Sequence, residues 1–86
     1  MDALTRLIED AQIVLKELES LTAQFANHPS KNDEECSRAY NSALVIYEAL
    51  RLMLQKELTM EDYNQLSELI KRAGIPLATL RRCMSA

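Results

Sequence analysis

The sequence predicts an all-α fold: an antiparallel helical bundle of three long helices plus a short C-terminal helix, in a single domain over residues 1–86. Three observations carry this. Residues 42–54, SALVIYEALRLML, hold ten apolar residues in thirteen with neither Gly nor Pro. As a helix this run is apolar around most of its circumference, the pattern of a helix buried by neighbours on several sides. Strand and hairpin formers are scarce, with two Val, three Tyr, one Phe, one Gly and two Pro in the chain. Apolar residues elsewhere recur every three and four positions, the period of a helix face.

The first helix is predicted over roughly residues 2–27. Leu4, Leu7, Ala11, Val14, Leu18, Leu21 and Phe25 form a seam of alternating three- and four-residue steps, widened by Ile8 and Leu15. Asp2 suits the positive N-terminal end of the helix dipole. Asn27-His28-Pro29 ends the helix, because the residue before a proline avoids helical geometry. The short link that follows favours an antiparallel return. Asn32 or Asp33 caps the second helix, and Asp33, Glu34 and Glu35 complement its dipole. That helix is predicted to run to about Glu57, with Asn41, Glu48, Arg51 and Gln55 as its polar stripe and with Ile46 and Leu50 buried.

Leu58-Thr59-Met60-Glu61-Asp62-Tyr63 is the strongest local start signal, with Thr59 as N-cap, acids in the first turn and Leu58 and Tyr63 at the staple positions. The third helix continues through Leu66, Leu69, Ile70 and Ala73. Gly74, the only glycine, is predicted to stop it in a left-handed C′ position. Pro76 then starts the short fourth helix at N1, with Leu77, Leu80 and Met84 inward.

Composition excludes several function classes. The net charge of −3 is unremarkable, and two cysteines are too few for a disulfide framework. Reduced thiols in a cytoplasmic protein are the expected setting. The longest apolar run is five residues, Ala43–Tyr47, so no integral membrane segment is expected. His28 is a loop histidine with no nucleophile at informative spacing, and Cys36 and Cys83 have no second ligand near in sequence. No catalytic residue, metal site or cofactor is expected, and Cys83 beside Arg81 and Arg82 is expected at most to be a modestly reactive thiol.

Two stretches resemble known families. LSELIKRAGIPLATLRRCMS, residues 66–85, resembles the helix-turn-helix of bacterial regulators of the lactose-repressor type, through Ala73, Gly74, Ile75, Thr79 and Leu80. The resemblance implies a nucleic-acid partner met by Pro76, Leu77, Thr79 and Arg82 in the groove, with Lys71 or Arg81 on phosphates. AYNSALVIYEALRLMLQKELTMEDYNQLSELIKRAG, residues 39–74, is similar in spacing to the immunity proteins of pediocin-like bacteriocins, small four-helix bundles that engage a receptor–toxin complex. Residues 2–57 also fit the α-hairpin of small secretion co-chaperones.

The expected function is therefore a non-enzymatic protein–protein interaction module, with a DNA-binding regulator as the alternative. Leu7, Val14 and Leu21, with Ile8 and Leu15 beside them, are the expected contact with another protein. A homodimer through the same seam is also expected, since so small a chain has few helices to cover it.

Overall fold

The computed structural model describes residues 2–85. It contains three long helices, α1 (Ala3–Phe25), α2 (Glu34–Leu54) and α3 (Tyr63–Ser85), with 3-10 turns at Pro29–Asn32 and Met60–Asp62. All three pack against one another, in a body of 42 × 19 × 16 Å. Phe25 lies against Tyr40, and Cys36 is joined to Cys83. The end of α1, the start of α2 and the end of α3 therefore meet, and each helix reverses the one before it.

Capping fixes the starts. The Thr5 N–H donates to Asp2 Oδ1 at 2.7 Å, and the Cys36 N–H donates to Asp33 Oδ1 at 3.0 Å. Each carboxylate satisfies one of the orphan donors of a first turn. Asp33, not Asn32, is thus the cap of α2. Between α1 and α2, His28 Nδ1 accepts the Ser30 N–H at 3.1 Å while its ring stacks on Phe25. This histidine organises the turn.

At the start of α3 the Asp62 carboxylate reaches back, accepting the Thr59 backbone N–H at 2.9 Å and the Thr59 hydroxyl at 3.3 Å. Lys56 also pairs with it at 2.9 Å. Thr59 stands at the N-cap, as the sequence predicts, and Asp62 three residues on completes a capping box with it. The Thr59 backbone N–H, then Lys56, hold the Asp62 carboxyl below the usual carboxylate range. A lowered folded-state pKa means stability present above the unfolded value and lost as pH falls through the folded one. In an NMR acid titration the Thr59 amide should shift with an inflection below that of an unperturbed aspartate. An inflection in the ordinary aspartate range overturns the assignment.

The core is a single cluster of small and large apolar residues. Ala11, Leu18 and Phe25 come from α1, and Ala39, Ala43, Ile46, Leu50 and Met53 from α2. Leu66, Ala73, Leu77 and Leu80 come from α3. Alanines set between leucines let the helices approach closely enough to interdigitate. Thr22 is the one buried polar residue among those described, and its hydroxyl donates to the Leu18 carbonyl at 2.7 Å. It leaves no buried group unpaired.

Three expectations are corrected. First, there is no separate fourth helix, because α3 runs unbroken from Tyr63 through Gly74 and Pro76 to Ser85. Gly74 does not have a positive φ, so it provides no left-handed stop. Pro76 costs α3 about 3 kcal/mol by removing the bond to the Arg72 carbonyl. Burying Leu77 and Leu80 at about 1.5–3 kcal/mol each outweighs that. Packing decides the matter against the local signal.

Second, Cys36 and Cys83 are not free thiols. They form a disulfide across 47 positions, and no free cysteine remains. Third, α2 is not buried all round. It has only two long helices to pack against, so Val45 and Leu52 face outward.

The continuity of α3 is directly testable. A Cβ built at Gly74 meets nothing within 4 Å, and the position is exposed and helical. Gly74→Ala should therefore stabilise the protein by about 0.5–1 kcal/mol, read by urea unfolding. A loss of stability would restore the turn at residue 74.

Candidate functional site

The buried stripe of α2, Ala39, Ala43, Ile46, Leu50 and Met53, follows three- and four-residue steps. The opposite face carries Asn41, Val45, Glu48 and Leu52, again at four- and three-residue steps, so these four are aligned along the helix. Val45 is 70% exposed and Leu52 55% exposed, with Leu44 beside them. Two open hollows flank this line. One, of about 340 Å³, is lined by Asn41, Ser42, Val45 and Ile46. The other, of about 350 Å³ between α2 and α3, is lined by Ala49, Leu52, Met53, Lys56 and Gln65.

Glu48 lies between the two apolar side chains, hydrogen-bonded to Arg51 one turn on. The Arg51 guanidinium holds the Glu48 carboxyl below the usual carboxylate range. The pair is charge-neutral as a unit at any ordinary pH. The face therefore offers two bulky aliphatic groups separated by a compensated ion pair.

The residues singled out from the sequence lie elsewhere. Leu7, Ile8, Val14, Leu15 and Leu21 are half-buried and packed against the core cluster. The seam they belong to is turned inward, with Ala11, Leu18 and Phe25 at its buried centre. What remains open on α1 is its margin. Of the residues named for nucleic acid, Leu77 is only 5% exposed and belongs to the core. Thr79 is half-buried, and Lys71, Arg81 and Arg82 are exposed. Arg81 pairs with Glu17 of α1 and Arg82 with Glu35 of α2. Both arginines are thus engaged in exposed ion pairs within the fold. The other exposed large apolar residues, Ile13, Met60 and Ile75, stand singly on different elements, as is ordinary on a protein surface.

Val45 and Leu52 were missed because a helix apolar around most of its surface does not announce which side faces water. A signal was nevertheless present. Asn41 and Glu48 mark the outward side, and Val45 and Leu52 each sit one turn beyond one of them.

Among the described residues no group of three or more His, Cys, Asp or Glu side chains is placed to hold a metal ion, and no helix is long and apolar enough to cross a membrane. No protein-family model, curated protein or solved structure matches the chain.

Proposed function

We propose that this protein is a small non-enzymatic interaction module, of the immunity, co-chaperone or inhibitor type, that meets another protein through an apolar helix surface. The observation that supports this reading is the α2 face. Val45 and Leu52 are seven residues apart, two turns of helix, and each walls a hollow. That spacing suits an amphipathic helix of the partner lying along α2, with its apolar side chains entering the hollows. The face replaces the α1 seam as the contact, because the seam is largely used inside the fold.

The nucleic-acid alternative draws less support, since its turn would fall inside a continuous helix and its Leu77 inside the core. The expectation of a cytoplasmic setting depends on unpaired thiols. With Cys36 joined to Cys83, a compartment in which disulfides persist fits the chain better.

Val45→Glu with Leu52→Glu tests the reading. Both positions are exposed, so stability should change by no more than about 0.5 kcal/mol each. A partner captured by the native chain should be lost by the variant at unchanged helical circular dichroism. Sedimentation equilibrium of both proteins identifies a second copy as that partner when the native chain alone is a dimer. Undiminished capture by the folded double variant overturns the assignment of this face.

A further inference from the structure

Two features of α3 have opposite effects on its last turns. Pro76 has no N–H, so the helix ladder is interrupted at the Arg72 carbonyl. Beyond the interruption lie the nine residues 77–85. A helical piece of that length does not hold itself in water. It is held by Leu77 and Leu80 in the core, by the Cys36–Cys83 bond, and by the Arg81–Glu17 and Arg82–Glu35 pairs. The Ser30 hydroxyl adds a long hydrogen bond to the Cys83 carbonyl at 3.4 Å. Both ion pairs are well exposed, and such pairs hold little. What remains is the burial of Leu77 and Leu80 and the covalent bond, and the bond is the one restraint of the two that chemistry can switch.

We infer that the Cys36–Cys83 disulfide is a redox clasp on a hinged segment. Oxidised, it keeps residues 77–85 docked on α1 and α2. Reduced, it lets that segment open about Pro76 while the helices before it stay folded, uncovering Leu77, Leu80 and the core they cover. The reductant is a dithiol. One of its thiolates attacks a sulfur of the pair, giving a mixed disulfide and releasing the other cysteine as a thiolate. Its second thiol then closes on the mixed disulfide. Two electrons pass to Cys36 and Cys83, which end as thiols with two protons, and the reductant leaves as a disulfide. Cys36 and Cys83 are 8% and 6% exposed, so the sulfurs are shielded until the segment loosens. Opening and reduction therefore favour each other.

Hydrogen exchange on the full chain, oxidised and after reduction with dithiothreitol, tests this. Amides of residues 77–85 should exchange faster in the reduced protein by roughly tenfold or more, with those of α1, α2 and residues 63–72 changing far less, as in a sub-global opening. Pro76→Ala, which restores the missing N–H, should return most of the protection at 77–85 in the reduced protein. Equal acceleration at all amides, or no selective change at 77–85, overturns the clasp. So does a reduced Pro76→Ala chain that exchanges at 77–85 as fast as the reduced native one, because the hinge is then not at Pro76.

Discussion

Cys36→Ser combined with Cys83→Ser should lower the stability of the oxidised protein by about 4 kcal/mol, as the entropy of closing so long a loop requires. The bond joins residues 47 apart in the sequence, more than half of the chain, so the unfolded state gains a large freedom when it is removed. Against the 5–15 kcal/mol typical of whole domains, and the low end expected for a small one, the loss is a large fraction. With a urea dependence of about 1–2 kcal/mol per molar for so small a protein, the midpoint should fall by roughly 2–4 M. The double serine variant also leaves two hydroxyls where Cys36 and Cys83 are buried, which adds to the loss. Dithiothreitol on the native chain avoids that second cost and separates the two. A midpoint that moves by less than a quarter of the expected shift in both experiments would remove the bond from the forces that hold the bundle.

How far the sequence reveals this fold depends on which residues are asked. The α1 seam and the buried stripe of α2 are legible, because apolar groups at three- and four-residue steps have one stable use, burial against another helix. The capping carboxylates Asp2 and Asp33 are legible too, since an orphan N–H at a helix start needs a nearby acceptor. Even so, the α1 seam, read first as packing inside the chain, also reads as an external contact. Only the number of neighbours settles its direction, and that number is a property of the whole chain.

Gly74 and Pro76 are less legible, and for a clear reason. Each is a sound local stop signal, yet backbone preference of one to three kcal/mol per residue competes with the burial of Leu77 and Leu80. Tertiary packing wins, and the helix passes through both. The disulfide follows from that outcome. Cys83 reaches the start of α2 only if α3 is straight enough to run the length of the bundle. A turn at Gly74 would direct it elsewhere, so an error of one helix boundary hides a covalent bond. The outward face of α2 is hidden in the same way. Val45 and Leu52 resemble Ile46 and Leu50 in every respect but direction, and direction is set by where α1 and α3 lie.

Leu50→Ala should cost about 2–5 kcal/mol, the transfer energy of the lost groups plus the cavity they leave. Leu50 is completely buried, on the α2 stripe between Ile46 and Met53. Helix α2 packs on both α1 and α3, so a void here loosens two interfaces at once. Its neighbours along the stripe, Ile46 and Met53, are themselves nearly fully buried and have little freedom to fill it. The upper half of the range is therefore expected. Leu52→Ala provides the contrast, since that side chain is the same and faces water. Its cost should stay near 0.5 kcal/mol, as for other surface substitutions. The two variants differ only in which side of one helix they strip, and urea unfolding of both reads the difference directly. Equal losses would mean that α2 is rotated from the orientation described, and would turn the proposed contact face inward with it.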